Sequence, residues 1–292
     1  MSQFSCNELK DLFRKDKIYF SQFKQGILLL EGKDSEKFLN GISSNDSTLK
    51  YQHNLILNNK GRILFDMSVF NEDNIYIITN SLQIQNLMEH LNKYKMSYKV
   101  NIEDLSNKLL VVKGSGLEIS KNKDWGSPIC LEEDLGVAVV EKDYDFSGYH
   151  RIDEELYLKW KIIQGIPSFP NEINEKVIPI ESNMWSTISF TKGCYVGQET
   201  IARIRYRGKV RKTLACLLIY GNLVTSEEIT NKDKKVVGRI TSSFFSKKDG
   251  ITFALGFIND EENFKDNRLY CSKTEILIRE NLYQEENLKL IS

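Results

Sequence analysis

The chain has 292 residues, 41% hydrophobic and 27% charged, with 40 basic side chains balanced by 40 acidic ones. This length suits about two domains and a core that needs neither disulfide nor metal to hold it. The zero net charge excludes a protein built mainly to coat nucleic acid, so any anion site has to be local.

Five cysteines, Cys6, Cys130, Cys194, Cys216 and Cys271, are odd in number and widely spaced. With no Cys-x-x-Cys pair or Cys/His cluster they write no metal site, and they read as reduced thiols. Met1–Lys10 carries Asn7, Glu8 and Lys10 in place of a continuous apolar segment, unlike a secretory signal. The apolar runs are far shorter than the ~20 residues of a membrane span. The expectation is a cytoplasmic protein without membrane contact.

In chain order, Glu8–Phe13 reads as a short amphipathic helix and Gly26–Glu31 as a strand. Lys33–Ile42 places Phe38, Leu39 and Ile42 at helical spacing. Asn54–Leu57 and Ile63–Phe70 read as strands joined through the turn Asn58-Asn59-Lys60-Gly61. Ile75–Thr79 is a third strand, and Leu82–Tyr94 a helix with Ile84, Leu87, Met88 and Leu91 on one face. Tyr98–Ile102 and Leu109–Val112 resume strands, and a turn-rich stretch from 113 to 150 contains the strand Val137–Val140. The helix Glu154–Ile163 stops at Gly165-Ile166-Pro167, and Pro167, Pro170 and Pro179 mark an ordered non-helical connection. After Gly208 the runs Thr213–Tyr220, Lys235–Ser242, Thr252–Ile258 and Thr274–Arg279 indicate a small all-β domain. Helices and strands mix without steady alternation, so the class is α+β, with domains expected over 1–207 and 208–292.

Ser189–Lys212 concentrates Lys192, Arg203, Arg205, Arg207, Lys209, Arg211 and Lys212 against the single acid Glu199. Two readings stand: a groove that attracts anions, whose arginines fork onto carboxylates or phosphates, or a solvated basic face. Cys194 lies two residues after Lys192. A nearby ammonium and a following helix start favour its thiolate, whereas free cysteines in general are often buried and inert. His53, His90 and His150 are isolated in the sequence and read as surface or packing residues.

Lys192-Gly193-Cys194-Tyr195-Val196-Gly197-Gln198-Glu199 resembles the K-G-C-[YF]-x-G-Q-E motif of the YgfZ family of folate-binding proteins, and the likeness continues through Ala202-Arg203 and Arg207-Gly208. Phe38–Ile42 with Ser44-Asn45-Asp46, Asn59-Lys60-Gly61-Arg62 followed by Asp66, Gly165-Ile166-Pro167 and Pro179-Ile180-Glu181 resemble further elements of that family in the expected order. The resemblance implies intertwined ferredoxin-like subdomains plus a small C-terminal β-barrel, ring-like around a central channel that takes tetrahydrofolate. It implies cofactor contacts from Lys192, Gly193, Tyr195, Gln198, Glu199, Arg203, Arg205, Arg207, Asn45, Asp46, Arg62 and Trp185, with Cys194 and Asp66 as the chemical groups and no metal. Trp160 and Phe190, near the motif in sequence, suit the aromatic walls of such a channel.

The implied role is accessory: assembly or maintenance of iron–sulfur client enzymes, including tRNA-thiolating ones. The alternatives are a tetrahydrofolate-dependent one-carbon transferase and, third, an RNA-binding module, against which the neutral charge counts. The related glycine-cleavage aminomethyltransferases carry paired aspartates after a Gly-Gly hairpin and a pterin-holding glutamate. Here Arg62 replaces the second glycine, Phe65 one of the aspartates, and Ile163 the glutamate, so glycine cleavage is not expected.

Overall fold

The computed structural model describes residues 5–13, 18–21, 25–115, 135–222, 228–259 and 268–279; Cys130 and residues 116–134 of the expected turn-rich stretch lie outside this set. The first part of the chain runs α1 (Cys6–Phe13), β1 (Ile18–Ser21), β2 (Gln25–Glu31), α2 (Ser35–Ile42), β3 (Tyr51–Leu57), β4 (Ile63–Asn71), β5 (Ile75–Asn80), α3 (Ile84–Tyr94), β6 (Asn101–Asp104), β7 (Leu109–Ser115), β8 (Leu135–Glu141), β9 (His150–Arg151), α4 (Glu154–Gln164) and α5 (Gln198–Arg207). Then follow β10 (Lys212–Tyr220), β11 (Glu228–Asn231), β12 (Val236–Ser246), β13 (Ile251–Asn259), β14 (Leu269–Cys271) and β15 (Thr274–Arg279).

Three sheets result: five strands in the order β3-β4-β5-β2-β6, four in the order β8-β7-β1-β9, and a closed barrel β10-β13-β12-β11-β14-β15. The fold is mixed α and β with a C-terminal barrel, in line with the class read from the sequence. Tyr98 belongs to a turn, its N–H donating to Lys95 O at 2.6 Å, and β6 starts only at Asn101. The ring of Tyr98 is used against Phe38, 5.4 Å away, which ties the turn to α2. The short strands β1, β9, β11 and β14 have no counterpart in the sequence reading, since two to four residues carry too little alternation to register.

The five-stranded sheet is apolar on both faces. One face packs Leu28, Leu30, Met67, Val69 and Ile77 against Phe38, Leu39, Leu87 and Leu91 of α2 and α3. On the other, Ile27, Leu29, Phe70 and Ile78 meet Val111, Val137 and Val139 of the four-stranded sheet. The third large cluster joins the tip of the β3–β4 hairpin (Leu55, Leu57, Ile63) to Tyr157 and Trp160 of α4, to Ile180, Met184 and Ile188 of the connection, and to Tyr195 and Ile201. Burying so many large side chains, at ~1.5–3 kcal/mol each, makes this cluster the joint between the sheets and the segment before the barrel.

A shift in register between Ile56 and Leu57 leaves Leu64 as the extra residue on β4. Such a bulge reverses which face the next side chain takes, so Phe65 enters the α2–α3 core while Ile63 enters the hairpin-tip cluster. The tip is held from outside by the turn that starts α5. Gly197 has φ +86°, and a Cβ there would stand 2.6 Å from Asn58 O; at Gly61, φ +71°, a Cβ would meet Thr200 and Ile201. The hairpin motif and the cysteine motif, about 130 residues apart, are therefore two sides of one backbone-to-backbone contact.

Gly197→Ala is expected to lower the unfolding free energy by about 1–3 kcal/mol through strain and displacement of the hairpin. Gly193→Ala, where an added Cβ meets nothing within 4 Å, is expected to stay within about 0.5 kcal/mol. Urea denaturation of the two variants side by side checks the contrast.

Candidate functional site

Along β4 alternation aims Asp66 and Ser68 away from the α2–α3 core, and on β3 His53 takes the same side, while Gln52 and Asn54 are buried on the other. Register pairs His53 with Ser68 and Leu55 with Asp66, and side chains two apart on a strand share a face. Tyr51, His53, Asp66 and Ser68 line one wall of a cavity of about 220 Å³, Lys113 and Val137 another, and Glu154, Tyr157, Leu158 and Lys161 of α4 a third; Ile166–Phe169 close it.

The helix α4 is placed by its ends. Asp153 caps the N-terminus, accepting from Glu155 N at 3.2 Å. At the other end Gly165, at φ +81°, sends its N–H to Ile162 O, and Ile166 N donates to Lys161 O at 2.9 Å, the pairing of a Schellman turn. Between these caps, positions 154, 157, 158 and 161 fall on one stripe, which faces the cavity. Trp160, on the other side, is fully buried and stacks on Tyr157 at 5.7 Å between centroids.

The centre of the cavity is a hydrogen bond between His53 Nε2 and Asp66 Oδ1. The Lys113 and Lys161 ammonium groups each lie 5.9 Å from the centroid of the Tyr157 ring. Burial works against the Asp66 carboxylate, but the charge and hydrogen bond of His53, then Lys161 and Lys113, outweigh it and hold its pKa below the ordinary value. Asp66 is thus a carboxylate at neutral pH, facing an imidazole and two ammonium groups across an aromatic wall. Such a set suits a flat, anionic ligand.

Of the expected cofactor-contacting and chemical residues whose side chains the structure describes, Asp66 alone lines this cavity. Residues 192–207 are not among those lining it. Lys192 is turned inward, its ammonium donating to Asn40 O and Ser43 O at 2.6 Å and Asn45 O at 2.8 Å, in the last turn of α2 and just after it. All three of its protons are taken, so it offers no donor to a ligand. Burial pulls its pKa down to about 8, with Asp46 pulling the other way.

Asn45 is likewise structural, donating to His53 O at 3.0 Å and Ser186 O at 2.9 Å; Asp46 caps the turn at Thr48. Arg62 donates to Lys176 O, and Trp185 packs against the hairpin-tip cluster. Tyr195 is buried there too, its phenol pushed up to about 12 by burial. Gln198 begins α5, and Glu199 sits exposed in its first turn, where a negative charge suits the helix N-terminus. Arg205 lies 3.8 Å from the centroid of Phe190, and Arg203 is exposed. Gly193 and Cys194 are exposed on the loop before α5, and Cys194 is a free thiol.

His53, Tyr157, Lys113 and Lys161 were not read as site residues. Their signal was present: His53 stands two residues after Tyr51 on a strand, and Tyr157 and Lys161 are four apart on a helix. Nothing in one sequence tells which of two polar faces closes on the other. At the two departures from the aminomethyltransferase pattern, the structure turns both side chains away from the cavity. Phe65 meets His90 of α3 with ring centroids 5.3 Å apart, and Ile163 packs with Leu9 and Phe253.

Two predictions follow from these contacts. Lys192→Met keeps the stem but strands three carbonyl oxygens, and is expected to cost about 1–3 kcal/mol of unfolding free energy by urea titration. A carboxyl whose pKa is lower in the folded chain binds fewer protons there, so its stabilisation is present above about pH 4 and fades as pH falls through the folded value. The stability gap between the wild-type chain and Asp66→Asn is therefore expected to narrow on acidification below that point, in a series of urea titrations taken from neutral to acid pH.

No protein-family profile matches the chain. Over 235 residues it is 28% identical to an iron–sulfur cluster assembly factor IBA57 homologue, mitochondrial, of Pyricularia oryzae, a stretch covering 72% of this chain and 60% of that protein. Over 273 residues it is 23% identical to an aminomethyltransferase of Caldanaerobacter subterraneus subsp. tengcongensis, covering 78% and 73%. The chain thus spans about three fifths of the assembly factor's length. Its fold is that of glycine cleavage system aminomethyltransferase T from Bartonella henselae, with a TM-score of 0.72 over 94% of this chain and 89% of that one, at 12% identity.

Proposed function

We propose that the protein binds reduced folate in the Asp66 cavity and acts as an accessory factor for the assembly or maintenance of iron–sulfur enzymes, tRNA-thiolating enzymes among them. The relatives named as iron–sulfur cluster assembly factors support the accessory role, and the aminomethyltransferase fold supports a folate-sized ligand. The single observation that carries the binding reading is the cavity's donor set: an aromatic wall at Tyr157 for a ring system, the Lys113 and Lys161 ammonium groups for carboxylates, and the Asp66–His53 pair for a polar ring edge.

One-carbon transfer from glycine is the weaker reading. It calls for paired acids on β4, and consecutive strand residues face opposite ways. A carboxylate at position 65 would lie in the apolar core under α3, where burying a charge costs several kcal/mol.

Calorimetry tests the binding. Tetrahydrofolate is expected to bind saturably and more weakly as salt rises. Lys161→Met is expected to weaken binding about tenfold or more through loss of a charged contact, and Arg203→Ala, on the exposed face of α5, to leave it unchanged. Absence of binding at millimolar ligand would remove the folate reading.

Cys194 is proposed as the working thiol, offered to the client and not to folate, because it stands exposed outside the cavity. Cys194→Ser is expected to keep fold and folate affinity while the activity of iron–sulfur client enzymes in complemented cells collapses. Normal client activity in that variant would retire the thiol and leave the motif as a clamp on the hairpin.

A further inference from the structure

We propose that His53 and Asp66 form a proton-transfer dyad aimed into the cavity, with His53 Nδ1 accepting a proton from a nitrogen acid of the bound ligand. The identity of that ligand as a reduced folate rests on the function proposed above; the dyad rests on geometry.

His53 and Asp66 come from neighbouring antiparallel strands and share a face one register step apart. Their contact uses Nε2 of the imidazole. Among the described residues, Nδ1 has no hydrogen-bond partner, and the two side chains are 21% and 22% exposed as part of the cavity lining. The backbone beneath is fixed: His53 O accepts from Asn45 Nδ2 at 3.0 Å, and Thr79 Oγ1 donates to Asp66 O at 2.7 Å.

An ionised Asp66 accepts only, so the network assigns the ring proton to Nε2 and leaves the lone pair of the neutral ring on Nδ1. This is the arrangement in which a carboxylate orients an imidazole for base chemistry. In the step itself the ligand N–H bond breaks, its electron pair stays on the ligand nitrogen, and the proton forms a new bond to Nδ1. The imidazolium is then balanced by Asp66, and the negative charge left on the ligand by Lys113 and Lys161. The charged and titratable groups lining the same cavity are Asp66 from β4, Lys113 from β7, Glu154, Tyr157 and Lys161 from α4, and Tyr51 from β3.

The test uses the full chain and diethyl pyrocarbonate, which acylates neutral imidazole nitrogen, with site-resolved mass spectrometry; exposed His150 and half-buried His90 serve as internal references. His53 is expected to react faster than His90, with Asp66→Asn slowing His53 severalfold and leaving His150 unchanged. Long-range nitrogen–proton NMR of the unmodified chain is expected to show His53 protonated on Nε2 in its neutral form, a readout that needs no variant to fold. Tetrahydrofolate is expected to protect His53 and not His150. A neutral His53 protonated on Nδ1, or acylation of His53 indifferent to Asp66→Asn, overturns the dyad. Acylation that depends on Asp66 but is not blocked by tetrahydrofolate upholds the dyad and overturns the folate reading.

Discussion

Period-two alternation along the β3–β4 hairpin is the constraint from which the rest of the molecule follows. One face of the hairpin carries Ile56, Met67 and Val69 into a hydrophobic core, and the other, apolar at the tip and at Phe70, carries His53, Asp66 and Ser68 to the cavity in between. Met67 and Val69 are held under α2 and α3, and the same register sets Asp66 and Ser68 toward the cavity. A one-residue slip would exchange the two sets, burying the acid and exposing the core. The bulge at Leu64 and the glycine contacts at the hairpin tip pin that register.

Pinning from outside gives the cysteine motif a mechanical meaning. Gly197 lets α5 start against the Asn58 carbonyl, Tyr195 and Ile201 enter the hairpin-tip cluster, and Lys192 reaches the carbonyls at the C-terminal end of α2. A compact ammonium with three protons fits three converging carbonyls, which the planar fork of an arginine would not. A segment that reads as an anion trap by charge thus spends its first lysine on closing the fold, and leaves Cys194 exposed on the loop so formed.

Electrostatics in the cavity are balanced locally. A carboxylate held below its usual pKa in a partly buried wall needs hydrogen-bond donors and cations nearby. His53 comes from the adjacent strand, Lys161 from α4 and Lys113 from the second sheet. Those partners come from three separate stretches of chain, so the site exists only when both sheets and the helix are assembled.

Local features were legible in the sequence. The helices α2, α3 and α4, the β3–β4 hairpin, the stop at Gly165 and the long barrel strands follow from periodicity and from glycine and proline chemistry, which act over a few residues. The acid Asp66 was named through the resemblance of its hairpin to a family element, and the fold sets it in the cavity wall. The basic residues of 189–212 do not line the Asp66 cavity, and charge along a chain does not say which way a side chain turns. Lys192 faces inward because α2 happens to present its terminal carbonyls there, and His53 gains a role because Asp66 lies beside it across the ladder. Which elements form is a matter of neighbours in sequence. Which polar faces meet to make a cavity is set by contacts between residues as far apart as 53 and 161, and no local pattern encodes those.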